Sequence, residues 1–450
     1  MPVTLAKPLF TSSEEDTTTQ AGPRGSAGLP YIPGGFPRNG LPTPVGTALL
    51  CVMLFLASLY PVVGLTSLLG TSPLTPSFVE GVSFLWALWM LLHVRWTCRS
   101  SRGLFPVLAV FSLIVTVTLR TTIPTTVLLS LFFVISQGTM LMTVSGKNIL
   151  VLLSLIPLTA AAISLLICQS SPLIAAIALF PWPTALVVSA ALFRGNKTRS
   201  IRSTGLICLS TLTLCLTAVA AVALYLWSLH GTLSLTLLRE DIESVRVYWV
   251  YVIAETVEWL IAQTTAAGAQ YSETVLAQLT NRETIAAVVN SVINLLPGMI
   301  VATVNVLSFL ALSCTNACLR SFGYGPYVCR EISSAPLLSP MAAVTFFLAF
   351  FVTLFTADSS SLAGTVAQNI LLILEPGMIF NGLAFLMARS LRRKRRSLFT
   401  LILLLAAAIF MTSLLFLILA VYGAGAILFS AITAVLQRHN SSNHNDPNGR

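Results

Sequence analysis

Residues 205–229 read GLICLSTLTLCLTAVAAVALYLWSL, 25 positions without one charged side chain. A helix rises about 1.5 Å per residue, so a run of this length crosses the roughly 30 Å hydrocarbon layer of a bilayer. Its flanks differ in charge. Arg194, Lys197, Arg199 and Arg202 precede it, and a stretch rich in Glu and Asp follows it. An apolar run with a basic flank on one side only is a membrane-spanning helix whose basic end faces the cytoplasm.

The same pattern recurs along the chain, giving spans at 47–69, 79–97, 104–119, 123–144, 149–168, 172–193, 205–229, 292–318, 337–356, 363–388 and 398–422. Composition agrees: 56% of the 450 residues are hydrophobic and 9% charged, against roughly 25% charged in a soluble domain. A water-soluble core is excluded. The fold class is therefore all-α, a polytopic transmembrane helix bundle of about eleven spans carrying an external amphipathic helical hairpin.

Basic residues gather in alternate gaps. Lys7, Arg24 and Arg38 lie before the first span, then Arg95, Arg99 and Arg102, Lys147, Arg194 to Arg202, Arg320 and Arg330, and Arg389 to Arg396, so nineteen of the 25 Lys and Arg fall on one face. That asymmetry places the N terminus in the cytoplasm and, after an odd number of spans, the C terminus outside. The net charge of +10 is mostly topogenic. Nucleic acid is not an expected partner, because these cations are spread over loops and form no basic domain.

Five regions make up the organisation. Residues 1–45 form a cytoplasmic leader; half of the 24 residues from Ala21 to Pro44 are Gly or Pro, a composition that denies the backbone helix and ladder alike. Spans one to seven occupy 46–229. Residues 230–291, with seven of the fifteen acidic residues, show apolar positions at helical spacing from Leu238 to Ile261 and again from Val275 to Val292, which predicts an external helical hairpin turning near Gly268. Spans eight to eleven and an interfacial apolar piece, 426–437, fill 292–437, and 438–450 is read as a disordered polar tail.

Two spans hold helix breakers. Pro181-Trp182-Pro183 divides the sixth, and Glu375-Pro376-Gly377 lies near the middle of the tenth, about two turns after Gln368 and Asn369. Interrupted helices at membrane depth are tolerated where freed carbonyls face protein or a water-lined cavity, so these six residues, Gln368, Asn369, Glu375, Pro181, Trp182 and Pro183, are candidate solute contacts; a packing kink is the alternative. A carboxylate at the bilayer centre costs roughly 2.5–3.5 kcal/mol on insertion scales, so Glu375 is expected to be neutralised, paired or water-facing. Its two readings are a contact to a substrate amine or proton, and a bond to a neighbouring helix. Glu80 is placed at the outer interface.

Arg389, Arg392, Arg393, Lys394, Arg395 and Arg396 abut the tenth span, where they contact anionic lipid or a cytoplasmic partner. Cys314 and Cys318 share a helix face, with Cys329 beyond, but no His lies near them in sequence. They are read as reduced packing thiols, and no metal or cofactor is expected. No His-Glu-x-x-His, Gly-x-Ser-x-Gly or phosphate-cradling loop occurs, so the chain is read as non-enzymatic.

The segments Ser170-Ser171-Pro172-Leu173 through Phe193-Arg194-Gly195, Asn294-Leu295-Leu296-Pro297-Gly298-Met299, and Gln368-Asn369 through Asn381-Gly382-Leu383-Ala384, with the acidic excursion between them, resemble the YybS-like family of uncharacterised bacterial polytopic membrane proteins. The resemblance covers about residues 50–425. It departs after the last span, where Gly423 is followed by Ala424-Gly425-Ala426 in place of an acidic and aromatic-Arg ending. It implies a bacterial plasma-membrane protein of unknown function, loosely similar to the S components of energy-coupling-factor transporters, with a ligand cavity among its helices and an ATPase module as partner. Three readings of function follow: a small-solute-binding or transport protein, a non-catalytic scaffold for envelope or cytoplasmic partners, and a membrane-embedded enzyme built on Glu255, Glu258, Asp358 or Glu375.

Overall fold

The computed structural model describes residues 44–68, 70, 74–98, 104–145, 147–168, 172–198, 203–268, 272–322, 338–356, 361–391 and 412–444. Among these residues every regular element is helical. In chain order they are α1 (Pro44–Leu68), α2 (Pro76–Thr97), α3 (Leu104–Leu119), α4 (Thr122–Phe133), a π-helical turn (Val134–Gly138), α5 (Thr139–Ser145), α6 (Lys147–Cys168), α7 (Pro172–Leu179), α8 (Trp182–Thr198), α9 (Ser203–His230), α10 (Leu235–Ala266), α11 (Glu273–Thr280), α12 (Arg282–Ser321), α13 (Pro340–Phe355), α14 (Leu362–Leu391) and α15 (Thr412–His444). Seven of the described helices are long and apolar enough to cross a bilayer, and shorter apolar helices occupy 104–119, 155–166, 176–192 and 340–355. Large apolar side chains face outward along them, such as Val117 at 69% and Phe355 at 83% exposure. In water these would be aggregation sites; against lipid they need no cover.

The helices form two compact units, one comprising residues up to Ala221, Val304–Leu338 and Phe429 onward, the other Val222–Thr303 and Ser339–Leu428. In the first, the continuous rod α4–π–α5 is the central element, buried over 83% of its apolar window compared with 22% for α2. Phe133, Val134 and Ile135 are wholly enclosed there. The rod also buries Thr126, Ser130, Ser136, Gln137 and Thr139 at 0% exposure. Hydroxyls are carried into such an interior by bonding to their own helix, as Thr126 Oγ1 does to the Thr122 carbonyl (2.8 Å) and Thr143 Oγ1 to the Thr139 carbonyl (2.7 Å). Others cross between helices: Trp86 Nε1 donates to Ser130 Oγ at 3.3 Å, Thr126 Oγ1 to the Ser83 carbonyl at 3.2 Å, and Ser210 Oγ to Ser308 Oγ at 3.0 Å. In lipid these bonds and close packing, not water exclusion, hold helices together.

Glu80, expected at the outer interface, caps α4. Its carboxylate accepts from the Thr122 amide (3.1 Å) and from the Thr121 and Thr122 hydroxyls. An anion at a helix N-terminus satisfies free amides and meets the positive end of the helix dipole. The turn before α4 passes through Arg120 at φ 52°, a left-handed conformation uncommon for a side chain with a Cβ.

In the second unit, α10 ends on Gly268 at φ +90°, the left-handed conformation that stops a helix, with the Gly268 amide bonded to the Thr265 carbonyl at 3.0 Å. This is the turn expected from the sequence. Ala254 of α10 packs against Ile285 and Val289 of α12. At the N-terminus of α12, Asn281 Oδ1 accepts from the Glu283 amide at 2.9 Å. On α13, Phe346 is buried and stacks with Phe350 at 6.4 Å.

Three expectations need correction. The second arm of the hairpin and the eighth span are one element and not two, because α12 runs unbroken through 291/292 for 40 residues, about 60 Å. The tenth span is not broken at Pro376: α14 is continuous for 30 residues, since a proline removes one amide and a helix packed among others absorbs that loss. The pieces 426–437 and 438–444 are neither a separate interfacial segment nor a disordered tail but the continuation of α15. Gly423 does not end that helix; it serves a close crossing with α14. A Cβ on Gly423 would lie 2.1 Å from the Met378 carbonyl oxygen, and one on Gly382 would lie 2.3 Å from that of Leu419. Small residues at such points let membrane helices approach backbone to backbone.

Candidate functional site

The sixth-span breaker acts as expected in its backbone. Phe180 and Pro181 form a turn between α7 and α8. Its side chains are used in packing: Pro181 and Trp182 are buried, Pro183 is exposed, and Trp182 Nε1 donates to Ser58 Oγ on α1 at 2.9 Å. An indole nitrogen in a core needs an acceptor, and Ser58 supplies it. A wholly apolar groove lies between α1 and α2 in the same unit, about 220 Å³, walled by Leu56, Tyr60, Val63, Phe78, Val79 and Trp86. It offers carbon surface and no charge.

Gln368, Asn369 and Glu375 lie on α14, in the other unit. Asn369 is committed to α12. Its Oδ1 accepts from the Gly298 amide (2.8 Å), and its Nδ2 donates to the carbonyls of Asn294 and Thr365 (2.9 Å each). Gly298 and Asn294 are the two ends of one helical turn, beside Pro297. The carboxamide reaches them because Gly298 has no Cβ; one built there would sit 2.6 Å from Asn369 Oδ1 and 3.0 Å from its Cα.

Gln368 and Glu375 are seven residues apart, two helical turns, and so share a face about 10 Å apart along the axis. Both are half-buried, and neither has a hydrogen bond or ion pair with another described residue. This pair, an amide and a carboxyl on one stripe of α14, is the candidate solute site. Of the basic run, Arg389 lies in the last turn of α14, whereas Arg392, Arg393, Lys394, Arg395 and Arg396 fall outside the described residues.

A profile described as "Predicted membrane protein (DUF2232)" matches residues 109–424. The chain belongs to this family. Neither the curated proteins nor the solved structures contain a match. The DUF2232 region takes in α4 with its π-turn, the Asn369–Gly298 joint, Glu375 and the α14–α15 crossing. Membership establishes an integral membrane protein, which the outward apolar surfaces also require.

One cluster in the first unit escaped the sequence reading. Cys314 and Cys318 are one turn apart on α12, and Cys98, at the C-cap of α2, joins them: its Sγ lies 3.7 Å from that of Cys314 and 3.3 Å from that of Cys318. Gln137 of the π-turn aims Nε2 at both, at 3.7 and 3.5 Å. A separation of more than 200 residues hides such a group; only the i, i+4 pair was legible.

Proposed function

We propose that this DUF2232 protein binds a small solute bearing a positively charged amine, with Glu375 as its counter-charge and Gln368 as a second polar contact. One observation carries the reading: a half-buried carboxyl without a partner among the described residues, on a helix apolar enough to span. An intramembrane acid is costly, and a cationic solute would supply the counter-charge that no described residue provides. Asn369 then serves as a positioning residue that holds α14 against α12. The YybS-like resemblance and its S-component analogy favour the same reading, with a bacterial plasma membrane, a cytoplasmic N terminus, an external C terminus, and energy drawn from an ATPase partner. Glu375→Gln is expected to abolish uptake or binding of the solute at unchanged protein level. Uptake equal to wild type would overturn the role of Glu375.

A scaffold is the second reading, favoured by the stripe of Tyr248, Tyr251 and Trp259 on α10, each at least 60% exposed. Serine at all three is expected to eliminate partner recovery in a crosslinking pull-down if this stripe binds protein; unchanged recovery would remove that reading.

A further inference from the structure

We propose that Cys98, Cys314 and Cys318 hold a thiophilic d10 cation, Zn2+ or Cu+. Their three sulfurs all lie within 4.8 Å of one another, and all three residues are buried. Thiolates bound about 2.3 Å from a common tetrahedral ion stand about 3.8 Å apart, and the observed separations of 3.3 and 3.7 Å are close to that spacing. The arrangement is fixed by backbone: Cys314 and Cys318 share a face of α12 by helical period, and Cys98 sits where α2 ends, its amide bonded to the Val94 carbonyl at 2.9 Å.

The second observation is Gln137. It is completely buried, its Nε2 faces the Cys314 and Cys318 sulfurs, and its Oε1 has no hydrogen-bond partner among the described residues. A buried carbonyl oxygen without a described partner is costly, and the π-turn that sets Gln137 at this point adds a residue to the helix, a distortion frequent at functional sites. Oxygen and nitrogen of a carboxamide exchange by a half-rotation, so Gln137 offers either donors to thiolates or a fourth, oxygen ligand to the ion. Thiolate sets select Cu+ and Zn2+ over harder cations. On ligation each S–H gives its proton to water, and the cation replaces it. Arg95, Arg99 and Arg320 flank the cluster in sequence, placing it toward the basic, cytoplasmic side, where thiols stay reduced.

The test uses the full chain purified in mild detergent under reductant. Anaerobic titration of wild type with Co2+ is expected to develop a sulfur-to-cobalt charge-transfer band that Zn2+ abolishes, and metal analysis of the protein as isolated tells zinc from copper. Stoichiometric metal should survive gel filtration in wild type and in Cys208→Ser, an exposed thiol outside the cluster, and be lost in Cys98→Ser. The Co2+ band needs no variant, so a misfolded Cys98→Ser leaves the proposal testable. Absence of both band and retained metal in wild type overturns it, as does metal retained in Cys98→Ser or a Cys98–Cys318 disulfide in the freshly isolated protein.

Discussion

The side-chain oxygen of Asn369 accepts the Gly298 amide at 2.8 Å, while its nitrogen donates to the Asn294 carbonyl one turn earlier at 2.9 Å. One residue of α14 thus engages both ends of a helical turn in α12, next to the proline that weakens that turn.

Gly298→Ala is expected to destabilise the protein by about 1–3 kcal/mol, because the methyl group meets Asn369 and the bond is lost. Asn369→Ala removes the bond and the clash with Oδ1, leaving the contact with the residue 369 backbone. The double variant should therefore be less destabilised than the sum of the two single variants. Unfolding curves in detergent measure the cycle; strict additivity would deny the contact.

The α14–α15 crossing gives a sharper contrast within one helix. Gly423→Ala places a Cβ 2.1 Å from the Met378 oxygen, whereas a Cβ on Gly425 meets nothing within 4 Å. The first should lower the midpoint of thermal unfolding by several degrees, and the second should leave it unchanged or raise it slightly, by about 0.5–1 kcal/mol of helix preference. Equal effects would place the crossing elsewhere.

Glu80→Ala removes the acceptor from the start of α4 and should cost about 1–2 kcal/mol, the upper range for a helix cap. Glu80→Gln retains an oxygen for the Thr122 amide and is expected to recover part of that loss. Global unfolding of the two variants, measured side by side, checks the order.

The helices were legible because lipid imposes a length and an apolarity on each span, as in the uncharged stretch 205–229. The end of α10 was legible because Gly268 follows an amphipathic run. Two of the misreadings share one cause: Pro376, Gly423 and Gly425 are breakers in water, but packed membrane helices accept them, and Gly423 marks a close approach where the last span was expected to end. The roles of Asn369 and Glu80 depended on partners in other helices, and the Cys98 group on a contact spanning more than 200 residues. No local spacing encodes these. Gln368 and Glu375 were legible as polar residues in an apolar run, and their shared face follows from the helical period alone.

The most direct test of the solute-binding account is affinity purification of wild type and Glu375→Gln from native membranes in mild detergent, with mass spectrometry of retained small molecules and co-purifying proteins. The account predicts a cationic solute bound to wild type and missing from Glu375→Gln at equal protein recovery. The same solute retained by both proteins, or none with wild type and only envelope proteins alongside it, would contradict it.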